Sequence, residues 1–231
     1  KACLKVVEET GAQLMIGFNR RFDPHFRAVR KVIDEGQIGE VEMVNITSRD
    51  PGAPPMDYIK RSGGIFRDMT IHDFDMARFL LGEEPSVVAA FGSVLTDKAI
   101  STAGDLDSVN IMLETPSGRQ CVISNSRRAT YGYDQRIEVL GEKGMASAEN
   151  QREASIEVAS DAGFLKPPLL NFFMTRYIAA YAAEIEAFIV GVRDGTPLSP
   201  SGDDGLKALI LADAAVLSVA EARRVRVSEI G

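Results

Sequence analysis

Residues 106–128 read Leu106-Asp-Ser-Val-Asn-Ile-Met-Leu-Glu-Thr-Pro-Ser-Gly-Arg-Gln-Cys-Val-Ile-Ser-Asn-Ser-Arg-Arg128. Two runs with strand character, Leu106–Glu114 and Gln120–Arg128, flank Thr115-Pro-Ser-Gly118, whose residues favour a tight turn. The same period of two extends outward through Val87–Leu95, Gln135–Leu140, Met145–Ala148 and Ala154–Val158, with Gly141-Glu-Lys-Gly144 as a second turn. Consecutive strands on short turns predict an antiparallel meander. Val41–Ser48, in which Val41, Met43 and Asn45 alternate with Glu40, Glu42 and Val44, adds a further strand. The result is a large, mostly antiparallel open sheet.

Helical spacing surrounds it. Asp23-Pro24 is a helix start, a capping oxygen followed by proline in the first turn, and Gly36 ends that helix. A helix through Met76, Phe79 and Leu80 stops at Gly82. Asn171–Gly191 predicts a long amphipathic helix whose aromatic residues read as core, and Ser201–Arg224 another, with Ser201 as its cap. The fold class is α+β, with helices on one face of the sheet. A bare opposite face exceeds what a monomer normally exposes, so a homo-oligomer, dimer or tetramer, is expected. Ahead of all this, Lys1–Thr10 reads as the end of a helix, Gly11 as its left-handed stop and Gln13–Phe18 as a short buried strand. That is the closing half of a Rossmann-type βαβ unit. The organisation expected is therefore 1–18, the remnant of a dinucleotide-binding domain, and 19–231, a substrate-binding and oligomerisation domain.

The net charge of −7 over 231 residues disfavours nucleic acid and anionic membranes as partners, and no apolar run is long enough to span a bilayer. Cys3 and Cys121 lie in apolar segments without CxxC spacing, predicting buried thiols in a reducing, cytoplasmic setting. No metal site is expected.

The chemistry concentrates in Gly63-Gly-Ile-Phe-Arg-Asp-Met-Thr-Ile-His-Asp-Phe-Asp75, which holds one of only two histidines. Asp68 and His72, four residues apart, would share one helix face. They read either as a satisfied structural pair or as a general base with its orienting carboxylate. Arg20 and Arg21, just past the strand, read as solvated charges or as binders of an anion or sugar hydroxyls. The Asp50–Pro55 loop reads as a site wall.

Taken together, these residues resemble the glucose–fructose oxidoreductase / inositol dehydrogenase (Gfo/Idh/MocA) family. The segments are Gly17–Pro24, Ile38-Gly39-Glu40, Gly63–Asp75, Tyr131-Gly-Tyr133-Asp134 with Glu138–Gly144, and Ser201-Gly-Asp-Asp-Gly205, in the family's order. The Tyr131–Asp134 segment resembles the inositol dehydrogenase branch. The resemblance implies an NAD- or NADP-dependent dehydrogenase that oxidises a ring secondary alcohol of a polyol such as myo-inositol. It implies His72 as the base and Asp68 as its partner, Arg20, Asp50 and Tyr133 against the substrate, and Asn19 beside the nicotinamide. Asp75 would hold the helix or the His72 ring. Another sugar or sugar-acid dehydrogenase, and a non-catalytic binding or oligomerisation module, are the alternatives. The family's Gly-x-Gly-x-x-Gly and Glu-Lys-Pro motifs are absent from residues 1–231. A nucleotide domain upstream of Lys1 is therefore expected, and this chain alone is expected to be inactive.

Overall fold

The computed structural model describes residues 1–231. The elements are α1 (Ala2–Thr10), α2 (Pro24–Asp34), β1 (Val41–Arg49), α3 (Met56–Ser62), α4 (Ile65–Asp68), α5 (Ile71–Leu81), β2 (Val87–Ser93), β3 (Ser108–Glu114), β4 (Gln120–Ser126), β5 (Asp134–Gly141), β6 (Gly144–Ala148), β7 (Val158–Ser160), β8 (Gly163–Leu165), α6 (Phe173–Arg176), α7 (Ile178–Asp194), α8 (Gly202–Glu221) and β9 (Val225–Arg226). The hairpin forms as expected: β3 and β4 are antiparallel, Glu114 opposite Gln120. Seven strands make one sheet in the order β6-β5-β1-β4-β3-β2-β9.

The sheet is not a simple meander. β1 inserts between β4 and β5, parallel to β4 and antiparallel to β5. The 127–133 connection crosses the carboxyl end of β1, where Asp50 donates its N–H to Ser126 (2.9 Å) and Ala129 donates to Asp50 (2.6 Å). This crossing puts the ends of β1 and β4 and the start of β5 around one point, and the candidate site lies there.

Helices α5 and α8 pack on one face of the sheet, with α4 against both of them. Leu80, Leu81, Val88, Leu113, Ile123 and Val139 are fully buried between the layers. A bulge between Val41 and Met43 sets the parity of β1, so Val44 and Ile46 enter the core while Met43 and Asn45 point out. The opposite sheet face carries Met43, Phe91, Met112, Leu140 and Met145 in the open, Phe91 at 79% exposure.

Several expectations fail for identifiable reasons. Gln13–Phe18 is not a strand: it pairs with no other strand, and Ile16 donates instead to Pro200 (2.9 Å). Cys3 is exposed on α1, which buries none of its residues; only Cys121 is the buried thiol expected. Ala154–Val158 is largely irregular, and the local pairing is the separate exposed β7–β8 hairpin. The long helix breaks at Tyr177 into α6 and α7. The predicted caps hold: Asp23 accepts from the N–H groups of His25 and Phe26, and Ser201 forms a capping box with Asp204.

Candidate active site

The helix expected through Asp68 and His72 is two helices. Thr70 donates its backbone N–H to Ile65 (2.9 Å), which closes α4 with a wide turn, and its hydroxyl donates to Asn125 Oδ1 (2.6 Å). The shared helix face is therefore lost. Asp68 is occupied on both oxygens, by the Tyr58 hydroxyl (2.5 Å) and Arg127 Nη2 (3.0 Å). It makes no hydrogen bond to His72, whose Nδ1 is buried without a partner.

Six of the residues given an expected site role nevertheless line one cavity; Arg21 and Asp75 do not. Asn19, Arg20, Asp50, Asp68, His72 and Tyr133 surround a space of roughly 670 Å³, closed further by the proline loop and by Phe172, Phe173, Tyr177 and Tyr181. Arg20 enters from a 3₁₀ turn, Asn19–Phe22. It is buried and ion-paired with Asp73, and donates to Ser48 Oγ (3.0 Å). Ser48 donates on to Gln135 Oε1 (2.9 Å), and the Tyr177 hydroxyl donates to the same oxygen (3.3 Å). Burial opposes the Arg20 charge, but Asp73, Tyr177 and Tyr133 outweigh it and hold the guanidinium above its ordinary range. Arg21 is no solvated charge either: it forks onto Asp75 (2.8 and 2.6 Å) and reaches Asp204 (3.0 Å). Asp75 thus ties α5 to the 3₁₀ turn and does not touch His72.

Burial, then the Arg20 charge, pushes His72 down to about 3. The imidazole is neutral at neutral pH, with the Phe18 ring edge-on at 5.9 Å. Burial raises Asp50 to about 6 against the pull of Arg127 and Arg20. Burial also holds the Tyr133 hydroxyl well above its usual range, so it stays protonated, able both to donate and to accept. Tyr133 packs edge-on against Tyr177 (6.1 Å). The glycine before it is required: Gly132 has φ 123°, and a Cβ there would meet Leu169 at 2.7 Å.

Sequence reasoning missed Tyr58, Asp73, Asn125 and Arg127. Arg127 reads as a charge at a strand end, yet it continues the inward row Cys121, Ile123, Asn125 and is 1% exposed. Phe172, Phe173 and Tyr181 read as core and are cavity wall.

Residues 26–147 match the GFO/IDH/MocA C-terminal domain. The inositol 2-dehydrogenase of Rhizobium meliloti (strain 1021) is 69% identical over 228 residues, covering 99% of this chain and 69% of that protein. The chain belongs to the Gfo/Idh/MocA family. Among solved family members, the myo-inositol dehydrogenase of Corynebacterium glutamicum ATCC 13032 superposes with a TM-score of 0.93 at 43% identity, covering 97% of this chain and 68% of that one. The scyllo-inositol dehydrogenase of Lactobacillus casei, solved with NAD(H) and scyllo-inositol, gives 0.88 at 26% identity over 97% of this chain and 68% of that one. The Gfo/Idh/MocA assignment accounts for the order of the five sequence segments, three of which, Gly17–Pro24, Gly63–Asp75 and Tyr131–Asp134, put side chains into the cavity.

The cavity carries a stability cost that is testable without any ligand. The folded pKa of Asp50 lies above its unfolded value, so the folded state binds the extra proton and stability is lost as pH rises from the unfolded value through about 6. Asp50→Asn should therefore stabilise the protein by about 1–3 kcal/mol near pH 7.5, with the gain vanishing near pH 4. Thermal unfolding at the two pH values checks this.

Proposed function

We propose that the cavity binds a cyclic polyol, myo-inositol foremost, and that the protein oxidises one of its ring hydroxyls with NAD. The observation that carries this is His72: a neutral imidazole with an uncommitted buried nitrogen, standing among Arg20, Asp50 and Tyr133, three groups suited to hydroxyls. NAD supplies the hydride acceptor. Of this chain's residues, Asn19 fits its nicotinamide end, because its amide nitrogen is buried in the cavity wall with no partner. Arg20, Asp50 and Tyr133 orient the ring; His72 accepts the hydroxyl proton as the adjacent C–H bond breaks. At about 3 the resting imidazole is a weak base. Transfer of an Asp68 oxygen from Tyr58 to His72 would raise it, since a neighbouring carboxylate favours imidazolium.

The charge balance favours a neutral ring over a sugar acid. Arg20 is matched by Asp73, and Arg127 by Asp68 and Asp105, so no lining cation is free for a substrate carboxylate. The cofactor half of the site is assigned to a nucleotide-binding domain ahead of residue 19, of which residues 1–18 are the last part. Residues 1–231 alone should then neither bind NAD tightly nor turn over, whereas the enzyme with its cofactor domain should reduce NAD with inositols in preference to aldoses. A substrate panel followed by cofactor reduction tests both statements.

The bare sheet face supports a homo-oligomer. Phe91→Asp with Met112→Lys should convert an oligomer to a monomer in light scattering without loss of fold, because both side chains point out from the sheet. An unsubstituted protein that is already a monomer would contradict the assignment.

A further inference from the structure

The stretch from Asp68 to Asp73 is held from outside its own helices. β4 is a central strand, flanked by β1 and β3, and its alternate side chains face the core. At its end, Asn125 grips the stretch twice: Oδ1 accepts from the Thr70 hydroxyl (2.6 Å), and Nδ2 donates to Asp73 Oδ2 (2.9 Å). The same Nδ2 lies 3.3 Å from the Ser48 carbonyl of β1. Two residues on, Arg127 Nη2 donates to Asp68 Oδ2 (3.0 Å) and stands 3.6 Å from Asp105 Oδ2. Asp105 in turn accepts the Ile65 N–H (2.8 Å) at the start of α4. Asn125 near the end of β4 and Arg127, the first residue beyond it, thus hold Asp68, Thr70 and Asp73, on both sides of His72, and Arg127 is itself anchored by its backbone N–H donating to Asp107 (2.8 Å).

We propose that Asn125 and Arg127 are positioning residues, and that β4 rather than a continuous helix fixes where Asp68 and His72 stand in the cavity. The proposal rests on the polyol-dehydrogenase reading. Its physical basis is rigidity. The backbone changes course at Met69–Thr70, so the relative placement of Asp68 and His72 is not set by helical geometry. A hydrogen-bonded central strand supplies the fixed frame instead. Arginine suits the outer position because its planar fork presents directed donors to carboxylates, which a lysine ammonium does not. Arg127 also sets the charge on the wall. Asp50 faces Arg127 and Arg20 as cations and Asp73 and Asp68 as carboxylates, and Arg127 is the strongest of the charges holding its proton affinity down.

The test uses the enzyme with its cofactor domain, myo-inositol and NAD. Misplacing a reacting group by about 1 Å costs about 10²-fold, so Arg127→Met and Asn125→Ala should each lower kcat by about that factor and change KM much less. In Arg127→Met the Asp50 carboxyl signal, followed by ¹³C NMR, should titrate at higher pH; in Asn125→Ala, which removes no charge, it should stay in place. Arg127→Lys should return the Asp50 titration to its wild-type position and recover only part of kcat. Wild-type kcat in both Asn125→Ala and Arg127→Met, or an unmoved Asp50 in Arg127→Met, would overturn the proposal. Should Arg127→Met fail to fold, wild-type kcat in Arg127→Lys would overturn it. An unsubstituted enzyme that oxidises no polyol would instead overturn the functional reading, and the proposal with it.

Discussion

Replacing His72 by alanine, in the enzyme with its cofactor domain, is expected to lower kcat by about 10²–10⁴-fold, the usual cost of losing a general base, with little change in KM. A secondary alcohol is a weak acid, so its proton must leave as the hydride does; without the imidazole, only water remains to take it. The ring orients no other group in the resting protein, since its Nδ1 has no partner. The substitution therefore strands no buried donor or acceptor, and loss of turnover should come without loss of fold. Steady-state kinetics beside a thermal melt separate the two. A His72→Ala enzyme turning over at the wild-type rate would return the residue to a packing role.

The largest effect on stability is expected at Arg20. Arg20→Met should destabilise the protein by about 3–5 kcal/mol, because it leaves the Asp73 carboxylate, fully buried, without its cation. Asn125 remains as a donor, so the loss is short of complete exposure of the charge. The pH dependence has a definite sign. Burial raises Asp73 above its ordinary value even with Arg20 present. Without the arginine it rises further, and the folded state takes up the proton. The penalty is then full above the raised folded pKa and shrinks as pH falls toward the unfolded value. Denaturant melts at neutral and acidic pH check this; an equal loss at both would contradict the ion-pair account.

What could be read in the sequence was local. The β3–β4 hairpin was legible because turn chemistry and alternation occur within a few residues. The caps at Asp23 and Ser201 were legible for the same reason. The insertion of β1 between β4 and β5 was not, because that pairing spans long separations and leaves no local signal. The break after Asp68 was hidden in the same way: Thr70 finds its partner in Asn125, far along the chain. Site residues carried by the family resemblance, from Asn19 to Tyr133, converge on one cavity. Arg127 escaped because a charged residue at a strand end usually faces water; only its parity with Cys121 and Ile123 hinted at burial. Gln13–Phe18 had the composition of a strand but no partner beside it.

On the proposed function, this cavity removes a proton from a ring hydroxyl while the carbon that bears it gives up its hydride to NAD. The most direct measurement is NAD reduction by the enzyme with its cofactor domain, comparing myo-inositol with the same compound deuterated at its ring carbons. NAD reduction should slow with deuterium under single-turnover conditions and be lost in His72→Ala. No reduction with any inositol, with an aldose or a sugar acid supporting it instead, would contradict oxidation of a cyclic polyol in this cavity.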